Sequence, residues 1–124
     1  MTKLGSLGLT LALLAALVGC GSYPAPTERM TTTEAAIRAA AEVGASNVPR
    51  AALHLKLAEE QTEKAERLIQ DGYNQRAELT LKRAQADAEL AIAIAKEAET
   101  LEEARKAQAK VQQMKAAALK ASQR

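Results

Sequence analysis

The sequence contains no tryptophan and no phenylalanine, and aromatic residues make up 2% of its 124 positions. Alanine, with 29 occurrences, supplies about half of the 48% that is hydrophobic. Such a chain is short of the large side chains that fill the core of an enzyme domain, and its length supports one small domain at most. One cysteine excludes an intramolecular disulfide, and one histidine leaves no His-based metal cluster. A formal net charge of +2 creates no whole-molecule field directed at nucleic acid. No Gly-rich phosphate loop is present.

No apolar run reaches the roughly 20 residues that a membrane-spanning helix needs. The longest, Leu7 to Val18, is preceded by Lys3 and closed by Leu17-Val18-Gly19-Cys20. A basic start, a short apolar stretch and small residues before a terminal motif form a targeting segment rather than part of the fold. The closing motif resembles the lipobox of bacterial lipoproteins, in which a lipid transferase must reach the thiol and a peptidase must seat small side chains ahead of the cut. The resemblance implies cleavage after Gly19, diacylation of Cys20 and a third chain on the new amine. The alternatives are an ordinary secretory signal with an incidental cysteine, or an uncleaved anchor. Two or three acyl chains hold a protein stably where one does so only marginally. Gly21 and Ser22 follow the cysteine, and the absence of Asp there favours the outer membrane in a cell that has one. Residues 1–19 are thus read as a signal peptide, and 20–30 as the lipidated Cys with a flexible tether containing Pro24 and Pro26.

The remainder reads as all-α. A first helix is expected from Thr31, where Thr31 and Glu34 fit a capping box, to a stop at Gly44. Ser46 or Asn47 would cap a second helix from Pro49 to Gln70. Ala51, Leu55, Ala58, Thr62, Ala65 and Ile69 recur along it in alternating steps of four and three, a heptad stripe. Asp71-Gly72 ends it, and Asn74 would cap a third helix running from about Gln75 towards Ser122 with no Gly or Pro inside. Ala77, Leu81, Ala84, Ala88, Ala91, Ala95 and Ala98 repeat in the same rhythm. The short turn makes the two an antiparallel hairpin, residues 31–98, with a thin Ala-rich contact. Leu53, Leu57, Leu68, Leu79, Leu90 and Ile92 would flank it. Pairs Glu60–Lys64, Glu63–Arg67, Glu78–Lys82 and Glu102–Lys106 have the favourable i,i+4 orientation.

The third helix outruns its partner. Residues 99–124 form a basic extension, with the weaker stripe Leu101, Ala104, Gln108, Val111, Ala118 and no acid after Glu103. It is either a solvated helix whose bases complement its own dipole or a docking surface built on Leu101, Ala104, Arg105, Lys106, Lys110, Val111 and Lys115. The second reading admits an envelope protein, peptidoglycan carboxylates, lipid phosphates or a second copy as partner. Export and the missing aromatics disfavour nucleic acid.

Catalytic sets are not apparent. Once Cys20 is acylated no Cys–His pair is possible. His54, among Leu53, Leu55 and Leu57, reads as a flank residue, and Glu59, Glu60, Glu63 and Glu66 as helix-face charges. Asp87 borders the stripe and is expected to pair with Arg83 or Lys56; Tyr73 is expected to plug the hairpin end. No cofactor is expected beyond the lipid on Cys20.

Glu42-Val43-Gly44-Ala45, Pro49, Leu55-Lys56-Leu57-Ala58, Ala65, Asp71-Gly72-Tyr73, Ala77, Leu81 and Ala84-Gln85-Ala86-Asp87-Ala88-Glu89-Leu90-Ala91 together resemble a domain-of-unknown-function family of Gram-negative lipoproteins. Its members are short helical proteins, some of them preceding an OmpA-like peptidoglycan-binding domain. The resemblance implies a lipid-anchored, periplasmic-facing protein of the outer membrane with a non-enzymatic structural or adaptor role. It spans roughly residues 30 to 98. Beyond Ala98 the chain continues as the basic helix and not as an OmpA-like domain, so a peptidoglycan-binding activity does not carry over.

Overall fold

The computed structural model describes residues 23–123. The signal segment and Cys20 lie outside the described residues. Three α-helices follow in order: α1 (Thr27–Glu42), α2 (Pro49–Gln70) and α3 (Asn74–Ser122), with a 3-10 turn at Ala45–Asn47 between the first two. No strand occurs among the described residues.

Helix α1 begins earlier than the capping box suggests. Thr27 to Met30 belong to the helix, not to a tether. Thr31, Thr32 and Thr33 do not cap; their hydroxyls donate back to the carbonyls of Thr27, Glu28 and Arg29 at 2.8–3.1 Å. Packing decides the start: Met30 lies against the cluster of Ala65, Ala77 and Leu81. Arg29 reaches Gln85 at 2.9 Å and Glu78 at 3.4 Å. Those tertiary contacts outweigh a local motif whose net contribution is about 1 kcal/mol.

Gly44 ends the first helical segment in the left-handed conformation, φ 76°, as its sequence position suggests. Neither Ser46 nor Asn47 caps α2. Proline restricts the residue before it to extended backbone, so Val48 (φ −111°, ψ 112°) takes the cap position without a side-chain bond. At the other end, the Tyr73 amide donates to the Leu68 carbonyl at 2.8 Å and the Gly72 amide to Ile69 at 3.0 Å. With Gly72 at φ 80° this is a Schellman stop. Asn74 does not cap α3 either; its side-chain amide donates to the Tyr23 carbonyl at 2.7 Å and ties the incoming chain to the start of α3.

The two Ala stripes meet as the periodicity requires. Ala51, Ala58, Ala65, Ala77, Leu81, Ala84, Ala88 and Ala91 have no exposed surface. The hairpin has a third member, however. Contacts of α1 climb α3 in the same direction: Arg29 and Thr33 meet Glu78, Gln85 and Leu81, while Ile37 and Ala40 share a cluster with Ala91, Ile94 and Ala95. Thus α1 runs parallel to α3 and antiparallel to α2, and the packed part is an up-down-up three-helix bundle. Ile94, outside the heptad stripe, is buried beside Val48 and Pro49, where the start of α2 approaches α3.

Several flanking residues lie elsewhere than the stripe suggests. Leu53, Leu79 and Leu90 are 57%, 53% and 43% exposed. Glu60 pairs with Lys56 at 3.7 Å instead of Lys64, whereas Glu63–Arg67, Glu78–Lys82 and Glu102–Lys106 form at 3.4–3.9 Å. Tyr73 is no plug: it is half exposed, with the Arg76 guanidinium 5.4 Å from its ring centre, and Met30, Leu68 and Ile69 close that end instead.

Candidate functional site

Two places on the bundle gather polar chemistry. The first lies between α2 and α3. His54 Nδ1 is 2.9 Å from Asp87 Oδ1, and Gln61 Nε2 donates to Asp87 Oδ2 at 2.7 Å. His54 and Gln61 are seven residues apart, so they share a face of α2 two turns from each other. Asp87 enters between them from α3, and both carboxylate oxygens are used. Asp87 therefore takes His54 and Gln61 as partners, not Arg83 or Lys56, and His54 is a half-buried interhelical contact and no simple flank residue. The physical reason is reach. The antiparallel register brings two α2 donors directly to the carboxylate, while Lys56 points to Glu60 on its own helix.

A carboxylate on one imidazole nitrogen fixes the ring and leaves Nε2 as the free atom, which is the orienting half of an acyl-transfer triad. Among the described residues no hydroxyl or thiol hydrogen-bonds His54, and no group of three His, Cys, Asp or Glu is placed to hold a metal ion. The contact joins α2 to α3 and fixes the register of two Ala stripes that could otherwise slide by a heptad. Gln61 Oε1 has no hydrogen-bond partner among the described residues, whereas its amide nitrogen holds Asp87. Asp87→Ala is expected to leave His54 and Gln61 both unpaired and to destabilise the bundle by about 1–3 kcal/mol. A double-mutant cycle with His54→Ala, read by urea unfolding, checks this; a coupling near zero would show that the contact does not set the register.

The second place is the free end of α3. Every described residue from Glu99 onward is exposed. Leu101, Val111, Met114 and Leu119 are 51%, 43%, 56% and 65% exposed. Of the surface read from sequence, Leu101 alone adjoins the bundle, in a shallow groove of about 360 Å³ shared with Val48, Pro49 and Ile94. Ala104, Arg105, Lys106, Lys110, Val111 and Lys115 stand beyond it on a bare helix. Arg105 and Lys106 both meet Glu102, at 3.9 and 3.7 Å; Lys110, Lys115 and Lys120 make no ion pair among the described residues. At the opposite end of α3, an open groove of about 380 Å³ is lined by Tyr23, Pro26, Arg29 and Glu78. There Glu78 takes both Arg29 and Lys82.

These two ends are far apart. Forty-nine residues of helix rise about 73 Å, and Asn74 holds Tyr23 at one end while the basic segment occupies the other. No helix among the described residues is long and apolar enough to cross a membrane. Set against protein-family models, curated proteins and solved structures, the chain matches none.

Proposed function

We propose that this chain is a lipoprotein anchored through acylated Cys20 in the outer membrane, facing the periplasm, with a non-enzymatic structural or adaptor role in the cell envelope. On this reading it is a member of the family of short Gram-negative lipoproteins that residues 30–98 resemble. The observation that carries the reading is the polarity of the molecule. Three Cα steps separate Cys20 from Tyr23, so covalent geometry keeps the Cys20 Cα within about 11 Å of the Cα of the residue that Asn74 binds. An acyl anchor there sits at one pole, and a bare helix rich in cations stands at the other. That arrangement suits a module that is held at one end and engages something at the other.

Exposure of Leu101, Val111, Met114 and Leu119 favours the docking form of this reading over a merely solvated tail. An envelope protein, peptidoglycan or another copy of the chain would be the partner.

Intact-mass measurement of the membrane-extracted protein tests the anchor. A species starting at Cys20 with added acyl mass is expected; a full-length or unacylated species would overturn it. Deleting residues 104–124 tests the other pole. Because the described residues 104–123 are all exposed, melting and membrane retention should stay within experimental error of the intact protein. A docking role then appears as a lost partner or changed sedimentation. A fall in melting temperature would instead mean that the extension packs on the bundle.

A further inference from the structure

We propose that the pole of the bundle where α1 and α3 begin sits directly in the lipid headgroups of the leaflet that holds the acyl chains of Cys20. The inference deepens the anchored reading just proposed and rests on it. The chain has two aromatic residues, Tyr23 and Tyr73. Both are exposed, at 45% and 54%, and both lie at this pole. Tyr73 stands in the turn between α2 and α3, next to Asn74, and the Asn74 side chain holds the Tyr23 carbonyl at 2.7 Å. Tyrosine rings concentrate where a membrane meets water, because most of the ring is apolar and its tip carries a hydroxyl. A chain with no other aromatic residue places both at the end of the fold that is covalently nearest Cys20.

Distance decides whether the rings reach the lipid. A flexible tether over residues 20–30 would let the bundle stand clear of the membrane. Instead, Thr27 to Met30 are helical, Pro26 is buried and Tyr23 is tied to Asn74. Only Gly21 and Ser22 remain between Cys20 and Tyr23, so the Cα atoms of Cys20 and Tyr23 are at most about 11 Å apart. The headgroup layer is itself roughly 5–8 Å deep on each side of a bilayer. An acylated Cys20 therefore holds Tyr23 within this layer or at its edge, and Asn74 brings the turn that carries Tyr73 with it. Charge is close to balanced here. Arg29 meets Glu78 at 3.4 Å and Arg67 meets Glu63 at 3.9 Å, while Glu28, Glu66 and Asp71 offset Arg76. The pole thus has no net positive field, and the rings, not a charge patch, select the lipid surface. Arg76, 5.4 Å from the Tyr73 ring centre, adds a donor for one lipid phosphate beside that ring.

The acylated chain, extracted from membranes and placed in phosphatidylcholine vesicles that include lipid brominated near the glycerol backbone, is the test. The chain has no tryptophan, so one introduced indole reports alone. The Tyr23→Trp and Tyr73→Trp proteins should float with the vesicles, emit at shorter wavelength than in water and lose most of that emission to the bromines. Leu119→Trp protein, altered roughly 70 Å along α3 from Asn74, should float equally and keep its emission. All three positions are exposed, so far-ultraviolet helicity should not change. High salt should leave the quenching in place; quenching that disappears in salt would mean attraction through Arg76 and overturn the aromatic seat. Tyr73→Trp protein that floats unquenched would keep the anchor and overturn the seat. Quenching of Leu119→Trp protein as strong as that of the other two would mean a rod lying along the membrane and overturn it as well. A chain that carries no acyl group and does not float would remove the anchor and the seat together.

Discussion

Replacing Leu81 with alanine is expected to destabilise the bundle by about 2–5 kcal/mol. Leu81 has no exposed surface and is the largest apolar side chain so enclosed. It sits with Ala65 and Ala77, and Met30, Leu68 and Ile69 close over it. Ala65 and Ala77 are methyl groups fixed to helix backbones, and only Met30, Leu68 and Ile69 can shift towards the space, so the cost should fall in the upper half of the range. A domain of this size has a total stability of roughly 5–15 kcal/mol, and each kcal/mol moves the melting temperature of a small domain by about 4–8 °C. A fall of at least about 10 °C is therefore expected in thermal unfolding at fixed protein concentration. Leu79→Ala, two residues away and 53% exposed, should stay within about 0.5 kcal/mol. Equal effects at the two positions would mean that α1 does not cover the lower half of α3.

The Ala seam was readable because small residues recur at heptad spacing along both α2 and α3, and Gly44 and Gly72 mark stops that only a left-handed residue makes easily. Helix α1 was harder. Met30, Thr33, Ile37 and Ala40 follow the same rhythm of three, four and three, but Thr33 interrupts the apolar pattern. Its hydroxyl is satisfied at the Arg29 carbonyl, which is why a polar residue with no exposed surface is tolerated there. The contact among His54, Gln61 and Asp87 left a signal too: two donors one heptad apart on α2. Recognising it requires the antiparallel register, which fixes the depth at which Asp87 enters. The caps failed for a common reason. Thr31, Ser46 and Asn74 each suit a cap locally, yet tertiary contacts of Met30, the backbone restriction before Pro49 and the Asn74–Tyr23 bond set the helix starts.

The second large effect concerns crowding. Ala91→Leu adds three heavy atoms at a position with no exposed surface, between Ala40, Ala45, Ala51, Leu55, Ile94 and Ala95. On hydrophobicity alone the change would be favourable, since leucine has more apolar surface to bury and remains a good helix former. Space decides against it. Here the end of α1 and the start of α2 both approach α3, and the alanines on all sides have no rotamers with which to yield. Overpacking costs about 1–3 kcal/mol where neighbouring side chains can move; with backbones as the neighbours, the helices themselves must separate. The expected result is a loss of at least about 3 kcal/mol by urea unfolding. Hydrogen exchange should show the damage first at Ile37 to Ala40, because α1 is the shortest helix and is joined to α2 through the turn at Ala45. Ala109→Leu, made on the exposed extension, supplies the same chemistry without the crowding and should leave the bundle's stability unchanged. An Ala91→Leu protein as stable as the parent would mean that the helices lie farther apart than their buried methyl groups require, and that alanine was chosen along this seam for helix propensity and not for close approach.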